Sequence, residues 1–257
     1  AVRDFPEDEY VFFATAQGVV KKVQLSAFKN VRRDGIKAIA LKDGDSLVGV
    51  AKTSGQDDIM LFSNLGKAIR FNEYWEKSGS DDEVENEDSA NLSETEEESA
   101  DTPKANGVRP SGRGSGGLRG MRLPENGRIV SLLVSAPDTP QQVLTATANG
   151  YGKRTPFADY SRKGKGGQGV IAIDTGERNG ELVAATLVCE SDDVMLITSG
   201  GVLIRTKVEQ IRETGRAAAG VKLMNLDEGE TLVSLERVAE EADEDVAQVS
   251  QTDTHTN

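Results

Sequence analysis

The sequence predicts an all-β protein: a propeller-like disc of four-stranded blades, with a disordered acidic insert and a disordered acidic tail. A unit of about 50 residues recurs four times along the chain. Each copy offers short strand-forming stretches and no convincing helix longer than one turn. A single sheet of this size cannot bury its apolar face alone, so neighbouring sheets must pack around an axis.

Every copy carries the same landmarks in the same order. The first is the glycine of a tight hairpin turn, which is Gly18, Gly66, Gly150 or Gly201. Four residues later comes a cation, which is Lys22, Arg70, Arg154 or Arg205. A second glycine opens a short third strand at Gly35, Gly117, Gly169 or Gly220, and an apolar strand follows at Leu47, Ile129, Leu182 or Leu232. Four landmarks that keep their spacing through four copies indicate a repeat architecture.

The repeats divide the chain into a β-domain over residues 1–238 and a tail over 239–257. The predicted blades cover residues 10–53, 57–135, 141–188 and 192–238, and the second blade is interrupted by an insert over 76–107. Residues 76–101 hold twelve acidic residues and one lysine, whereas 239–257 hold six acidic residues and no lysine or arginine. These two segments are too polar to bury a core, and we expect both to be disordered. They carry a charge of −17 against −13 for the whole chain, so the rest is mildly basic at +4.

Composition argues against several classes of function. Cys189 is the single cysteine, which excludes an internal disulfide and a cysteine-cluster metal site. His255 is the single histidine and lies in the acidic tail, so a histidine base for a nucleophile is absent from the repeats. Two G-x-G-x-x-G loops, at 112–117 and 164–169, precede strand-like sequence rather than the helix that a dinucleotide site needs. We therefore predict that the chain is not an enzyme by itself and holds no cofactor.

The ends and the hydropathy of the chain add two expectations. The sequence begins abruptly without an initiator methionine, as expected for a piece of a longer protein. It contains no signal peptide and no apolar run of membrane-spanning length, which predicts a cytoplasmic location without membrane association.

Recurring cations form the candidate binding site. A cation at one structural position in every blade would give a positive stripe around the rim, suited to a continuous polyanion such as duplex DNA. The alternative interpretation is a solvated sheet edge, where lysine discourages strand pairing. No segment resembles a recognition helix, so we expect binding with little sequence preference. The candidate DNA-binding residues are Lys21, Lys22, Arg32, Arg33, Lys37, Lys67, Arg70, Arg109, Arg113, Arg119, Lys153, Arg154, Arg162, Lys163, Lys165, Arg205, Lys207, Arg212, Arg216 and Lys222.

The stripe hypothesis makes one sharp mutational prediction. Arg154→Glu with Lys165→Glu should weaken DNA affinity strongly and leave the fold intact, because both side chains are expected at the surface.

Five stretches of the repeats carry a family resemblance. FFATAQGVVKKV, DDIMLFSNLGKAIRF, VLTATANGYGKRT and DDVMLITSGGVLIRT, with AAAGVKLM, closely resemble the C-terminal domain of the A protein of bacterial DNA gyrases. The resemblance implies a β-pinwheel, whose blades share strands with their neighbours and whose basic outer rim wraps DNA. It also implies a role in ATP-dependent negative supercoiling within an A2B2 holoenzyme, where the partners are the B protein and the rest of the A protein. ATP and magnesium are then used by other regions.

The chain departs from the family pattern in two respects. Four blades are visible, resembling the last four of the family's six, and the box Gln-Arg-Arg-Gly-Gly-Lys-Gly of the first blade is absent. The loop over 162–169 looks box-like but does not match the box. The acidic tail resembles the tails that tune wrapping in this family, which makes Glu240, Glu241, Asp243, Glu244 and Asp245 candidate regulatory residues.

Two other functions remain open from the sequence. The A protein of topoisomerase IV has a C-terminal domain of the same fold, usually with fewer blades and a degraded box. Four regular copies and the acidic tail favour gyrase. A protein-docking propeller would carry Gly-His and Trp-Asp pairs, but the chain has one tryptophan and no such pair.

Overall fold

The computed structural model describes residues 2–30, 32–76 and 107–238. Fifteen strands follow one another in the described ranges. The first repeat contributes β1 (Tyr10–Thr15), β2 (Val19–Gln24) and β3 (Leu47–Thr53), and the second β4 (Asp58–Ser63), β5 (Lys67–Asn72), β6 (Leu118–Arg119) and β7 (Ile129–Ser135). The third contributes β8 (Gln142–Thr147), β9 (Tyr151–Pro156), β10 (Val170–Ile171) and β11 (Leu182–Val188), and the fourth β12 (Asp193–Thr198), β13 (Leu203–Lys207), β14 (Val221–Lys222) and β15 (Leu232–Val238). The helical elements of these ranges are the short 3-10 turns Leu25–Phe28, Phe157–Asp159 and Val208–Gln210.

The hairpin glycines are required by both the turn and the packing. In the third repeat, the Gly150 N–H donates to the Thr147 carbonyl at 2.9 Å, and Gly150 has a φ of 78°. This is the left-handed region that glycine enters without steric cost, at the end of a three-residue hairpin loop. A Cβ on Gly150 would also lie 2.8 Å from the Met224 carbonyl oxygen of the next repeat. Only glycine therefore lets the next repeat pack against the turn.

Each later repeat donates one short strand to the blade before it. The sheet orders are β3-β1-β2-β6, β7-β4-β5-β10, β11-β8-β9-β14 and β15-β12-β13. The strands after the second glycine (β6, β10 and β14) thus complete the preceding sheet rather than their own. This is the strand sharing that the family resemblance implied.

The last blade corrects the prediction of four-stranded blades throughout. Within the described residues its sheet has three strands, and β13 pairs with β12 on one side only. Each of the other sheets takes its fourth strand from the next repeat, and the described residues include no repeat after β15. At the other end, residues 35–39 of the first repeat follow the same sequence pattern as β6, β10 and β14 but are not in a sheet.

The core lies between the blades. All six residues of β4 are buried, because successive side chains of a strand point to opposite faces and both faces of this sheet are covered. Ile59 and Leu61 pack with the first blade around Phe12, whereas Met60 and Phe62 pack with the third blade around Val143. A similar cluster joins the third and fourth blades. Face-to-face burial of successive sheets is what produces the propeller-like arrangement.

The strands β3, β7, β11 and β15 contact one another in that order and form the inner edges of the sheets. They surround a cleft of about 450 Å³ lined by Val48, Val130, Val183 and Val233, with Arg128 and Glu181 among the other lining residues. The strands β6, β10 and β14 form the opposite edges of their sheets. The segments that carry the candidate site therefore lie on the edges farthest from the inner strands.

Candidate nucleic-acid interface

A basic loop of each later repeat docks on the second strand of the preceding blade. The docking bonds run from the Ser111 N–H to the Lys22 carbonyl at 2.9 Å, from Lys163 to Arg70 at 2.8 Å, and from Thr214 to Arg154 at 2.9 Å. Each donor lies six residues before the second glycine of its repeat. We call residues 109–122, 161–174 and 212–225 the rim loops. Their position is set by backbone hydrogen bonds that recur at every blade boundary.

Adjacent rim loops contact one another. The Gly166 N–H donates to the Gly120 carbonyl at 2.8 Å, and the Arg122 N–H donates to the Gly167 carbonyl at 2.8 Å. The Arg216 guanidinium donates to the Ile171 carbonyl at 3.3 Å, which joins the next pair of loops. The three rim loops consequently form one continuous row across the blades.

More than half of the predicted cations reach solvent. The exposed predicted residues are Arg32, Arg33, Lys37, Arg109, Arg119, Arg162, Lys163, Arg205, Lys207, Arg212 and Lys222. Lys67, Arg113, Lys165 and Arg216 are half-buried. Arg113, Lys165 and Arg216 occupy the same position, four residues before the second glycine, so each rim loop presents a cation there.

The hairpin cations of the first three blades are buried, which corrects the expectation that they form the surface stripe. Lys21, Lys22, Arg70, Lys153 and Arg154 are each at most 8% exposed. The next repeat lies over them, and their polar atoms are used inside the protein. The expectation that Arg154 lies at the surface is therefore wrong, and the reason given for a fold-neutral Arg154→Glu no longer applies.

The cation four residues after the hairpin glycine tethers the start of its own hairpin to the next repeat. The Arg70 guanidinium forms an ion pair with Asp58 at 2.6 Å and donates to the carbonyls of Phe157 and Tyr160 at 3.1 and 3.0 Å. The guanidinium also lies over the Phe157 ring, 4.1 Å from its centroid. Because its charge is neutralised and its donors are occupied, Arg70 is a structural residue.

The equivalent cations follow the same rule with other partners. Arg154 donates to the Gln142 side chain at 3.1 Å and forms an ion pair with Glu190 at 3.0 Å. Lys22 lies over the Tyr10 ring at 4.7 Å and 3.6 Å from the Glu73 carboxylate. In each blade the side chain near the start of the first strand of the hairpin helps to hold this cation. Recurrence of the cation therefore reflects a structural requirement of the repeat.

Glu73 closes the base of the acidic insert. Its carboxylate accepts hydrogen bonds from the Thr53 hydroxyl at 2.9 Å and the Gly55 N–H at 2.9 Å. Its carbonyl accepts from the Val108 N–H at 3.1 Å, so the two ends of the insert meet. Beside this junction Arg109 stacks over the Trp75 ring at 5.4 Å. The insert is thereby anchored at the start of the first rim loop.

Burial changes the pKa of several charged groups in this region. Burial lowers the pKa of Lys153 to about 8, with a contribution from the neighbouring Arg216. Burial likewise lowers the pKa of Lys21, with Arg113 as the second cause. Burial raises the pKa of Glu73, although the nearby Lys22 opposes the shift. For both Lys21 and Lys153 the neighbouring charge that contributes to the lowered pKa is a rim-loop arginine, not a carboxylate.

A sequence model of the family described as the DNA gyrase C-terminal domain, beta-propeller, matches residues 9–54, 57–74, 104–136, 141–189 and 192–239. The chain belongs to this family. The DNA gyrase A protein of Neisseria gonorrhoeae is 76% identical over 95% of the chain, and that of Escherichia coli K12 is 42% identical over 95%. The chain spans 28% and 24% of the lengths of these two relatives.

Solved structures support the same fold. A structure described as that of the DNA gyrase A C-terminal domain has a TM-score of 0.70 at 25% identity, covering 93% of the chain and 68% of its own length. The C-terminal domain of DNA topoisomerase IV has a TM-score of 0.74 at 23% identity, covering 92% and 64%. The fold alone does not separate the two families, whereas the sequence model that matches the chain is that of the DNA gyrase domain.

The chain also presents two exposed cations that the sequence prediction did not include in the site. Arg122 is exposed and lies five residues after the second glycine of its repeat, where its backbone meets the neighbouring loop. Arg178 is exposed and stacks over the Tyr151 ring at 4.3 Å, with Lys222 5.5 Å from the same ring. Arg178 lies among acidic residues in the sequence, so composition offered no signal for it.

The described ranges contain no group of three or more histidine, cysteine, aspartate and glutamate side chains able to hold a metal ion. No described helix is long and apolar enough to cross a membrane. Residues 77–106 of the predicted insert lie outside the described residues, as do the predicted regulatory residues Glu240, Glu241, Asp243, Glu244 and Asp245.

Proposed function

We propose that the chain binds duplex DNA along the rim loops and bends it, without strong sequence preference. The observation that carries the proposal is the continuous row of rim loops, each presenting a cation four residues before its second glycine. Duplex DNA carries a charge about every 1.7 Å, so a row of cations meets phosphates along its length. Bending a binding site through tens of degrees costs about 1–6 kcal/mol, which several phosphate contacts offset.

In this proposal the chain acts as the wrapping domain of a gyrase A protein. The A2B2 holoenzyme, built with the B protein and the rest of the A protein, would use ATP and magnesium elsewhere to introduce negative supercoils. The chain itself binds no cofactor and performs no catalytic step. Its place is the bacterial cytoplasm, because that is where its DNA partner lies.

A linking-number assay tests the proposal. Relaxed circular DNA is incubated with the chain and a nicking-closing enzyme, and the topoisomers are separated after the protein is removed. We expect a shifted topoisomer distribution and an affinity whose logarithm falls by about 0.9 per phosphate contact with the logarithm of salt concentration. No binding at low salt would overturn the proposal.

Substitution of exposed rim cations locates the contact. Arg119 and Lys222 occupy equivalent positions two residues after the second glycine, and both are exposed. Arg119→Gln with Lys222→Gln should weaken binding and reduce the salt slope by about 2. Arg128→Gln is the matched control, because Arg128 is an exposed arginine paired with Glu181 beside the inner cleft. Equal effects of the two variants would place the DNA elsewhere.

We further propose that the acidic segments compete with DNA for the rim. The support is their charge of −17 and the anchoring of the insert beside Arg109. Deletion of 240–245, or of residues 78–101, should tighten DNA binding at low salt because an internal polyanion is removed. A replacement of the same length by serine and glycine is the control for tether length. Unchanged affinity after both deletions would reject the competition.

A further inference from the structure

One position of the hairpin alternates between lysine and isoleucine. The residue three places after the hairpin glycine is Lys21, Ile69, Lys153 and Ile204 in the four blades. Lys21, Ile69 and Lys153 are each at most 2% exposed. The repeat therefore accepts an apolar residue here, and two blades use a buried amine instead. A buried charge is costly unless its donors are satisfied, so the two lysines call for an explanation beyond the fold.

Both amines bind the backbone of the following rim loop. Lys21 Nζ donates to the carbonyls of Arg113 and Ser115 at 2.6 and 2.9 Å, and to the carbonyl of Ala38 at 3.0 Å. Lys153 Nζ donates to the carbonyl of Gly215 at 2.8 Å and to that of Arg216. Each lysine thus holds the carbonyl of the arginine that lies four places before the second glycine of the loop.

Among the described residues, neither amine has an acidic partner: no ion pair there joins Lys21 or Lys153 to a carboxylate, in contrast to Lys22 and Arg70 one position further along the hairpin. Carbonyl dipoles stabilise the ammonium groups, and their positive charge is not cancelled. The amines are buried behind the loops, so they have no direct contact with solvent.

The second blade achieves loop support differently. There Ile69 lies beneath the glycine-rich loop, where a Cβ on Gly167 would be 3.6 Å from the Ile69 Cδ1. The loop itself carries a half-buried lysine, Lys165, at the position of Arg113 and Arg216. An apolar side chain below this loop is thus accompanied by a lysine within it. The amine and the isoleucine are two ways of supporting equivalent loops.

We infer that Lys21 and Lys153 are positioning residues that hold the carbonyls of Arg113 and Arg216 inward and so fix these arginines for contact with phosphates. Neither lysine touches DNA. The inference rests on the proposed function, and it assigns the buried hairpin lysines a role at the DNA interface through the loops above them. Loss of the amine frees the loop backbone, so ordering the arginine against a phosphate then costs additional entropy.

A double-mutant cycle between Lys153 and Arg216 tests the inference on the whole chain. Lys153→Ile introduces the residue that blades two and four already use, and Arg216→Gln removes the phosphate contact. We expect each single variant to weaken DNA binding several-fold and to lower the salt slope by about 1. The double variant should be no weaker than Arg216→Gln, since Lys153 acts through Arg216. Additive losses, with a slope reduced by about 2, would overturn the inference.

Two controls separate this result from a loss of fold. Ile204→Val changes the equivalent position of blade four, which none of the three rim loops covers, and should leave DNA affinity unchanged. Circular dichroism must show that Lys153→Ile keeps the β-sheet signal, and a folded variant with unchanged affinity would also overturn the inference. If Lys153→Ile does not fold, the inference is tested instead by labelling the lysines of the unaltered chain with an amine-reactive reagent. Lys153 should resist labelling with and without DNA. If Lys153 were labelled in the free chain and protected by DNA, the inference would be overturned.

The cycle also distinguishes this inference from the proposed function. If the unaltered chain fails to bind DNA at low salt, the proposed function fails before the cycle begins. If the unaltered chain binds and the cycle is additive, DNA binding stands and only the positioning role of Lys153 is lost.

Discussion

The second and fourth blades place an arginine at the same position of the same hairpin, in opposite environments. Arg70 is 8% exposed and bound to Asp58 and to three carbonyls beyond its own blade. Arg205 is 62% exposed. Its ion pair with Asp193 at 2.5 Å corresponds to the pair of Arg70 with Asp58. The local sequence is similar, but a following repeat covers only Arg70. Burial in this molecule is therefore conferred by the neighbouring repeat.

The largest difference between the two arginines should appear in stability. Arg70→Ala leaves the carboxylate of Asp58, which is fully buried, with Arg162 as its remaining cationic partner. Removing one partner of a buried pair costs about 3–5 kcal/mol, and Arg162 should hold the loss near the lower figure. Arg205→Ala removes an exposed pair worth about 0–1 kcal/mol. Urea unfolding measures both values, and equal losses would refute the comparison.

The same contrast shows which features of the structure could be predicted from the sequence and which could not. Periodicity predicted the four repeats, the hairpin glycines and the strands, because turns and alternation are local properties of the chain. It could not show that the next repeat covers Lys22, Arg70 and Arg154, since burial arises from contacts between residues distant in sequence. The recurrence of these cations was evidence of a shared structural position, and the interpretation as surface charge was wrong. Most cations of the rim loops were predicted correctly as exposed because glycine-rich loops provide little cover.

A second prediction concerns the edge that the fourth blade lacks. Val20 is fully buried beneath β6, whereas Leu203 occupies the equivalent position on the free edge of β13 and is 49% exposed. Val20→Ala should lower the free energy of unfolding by about 2 kcal/mol, from lost burial and a residual cavity. Leu203→Ala should change it by less than about 0.5 kcal/mol. Thermal or urea melts decide, and a large loss for Leu203→Ala would show that the edge is covered in solution.

The third prediction uses the pH dependence of Lys153. Its pKa is about 8 in the folded state, compared with 10.5 for the exposed amine. Between these values the unfolded chain binds more protons, so stability should increase as the pH rises from about 8 towards 10.5. At pH 7 the amine is mostly charged in both states, and its burial opposes folding. Lys153→Ile removes this increase.

We expect the unaltered chain to gain about 1–2 kcal/mol more than Lys153→Ile between about pH 7 and 9.5. Urea unfolding of both proteins at the two pH values gives the difference, and the other lysines with lowered pKa values contribute equally to both. Lys207→Ile serves as a control, because Lys207 is an exposed lysine at the edge of the fourth blade. A parallel pH response of Lys153→Ile and the unaltered chain would show that the amine titrates as an exposed one.

The smallest expected effect comes from releasing the exposed arginine of the fourth blade. Asp193→Asn removes the carboxylate that neutralises Arg205, so the guanidinium becomes available to a phosphate. DNA affinity at low salt should increase about two- to three-fold, and the salt slope should rise by about 1. The equivalent change in the second blade, Asp58→Asn, should instead lower stability, because Arg70 is buried and cannot reach DNA. Because Asp58 also pairs with the exposed Arg162, this comparison is made with Arg162→Gln in both proteins. Tighter DNA binding after Asp58→Asn in that folded variant would mean that the third repeat opens to expose Arg70, and the distinction between covered and uncovered blades would no longer hold.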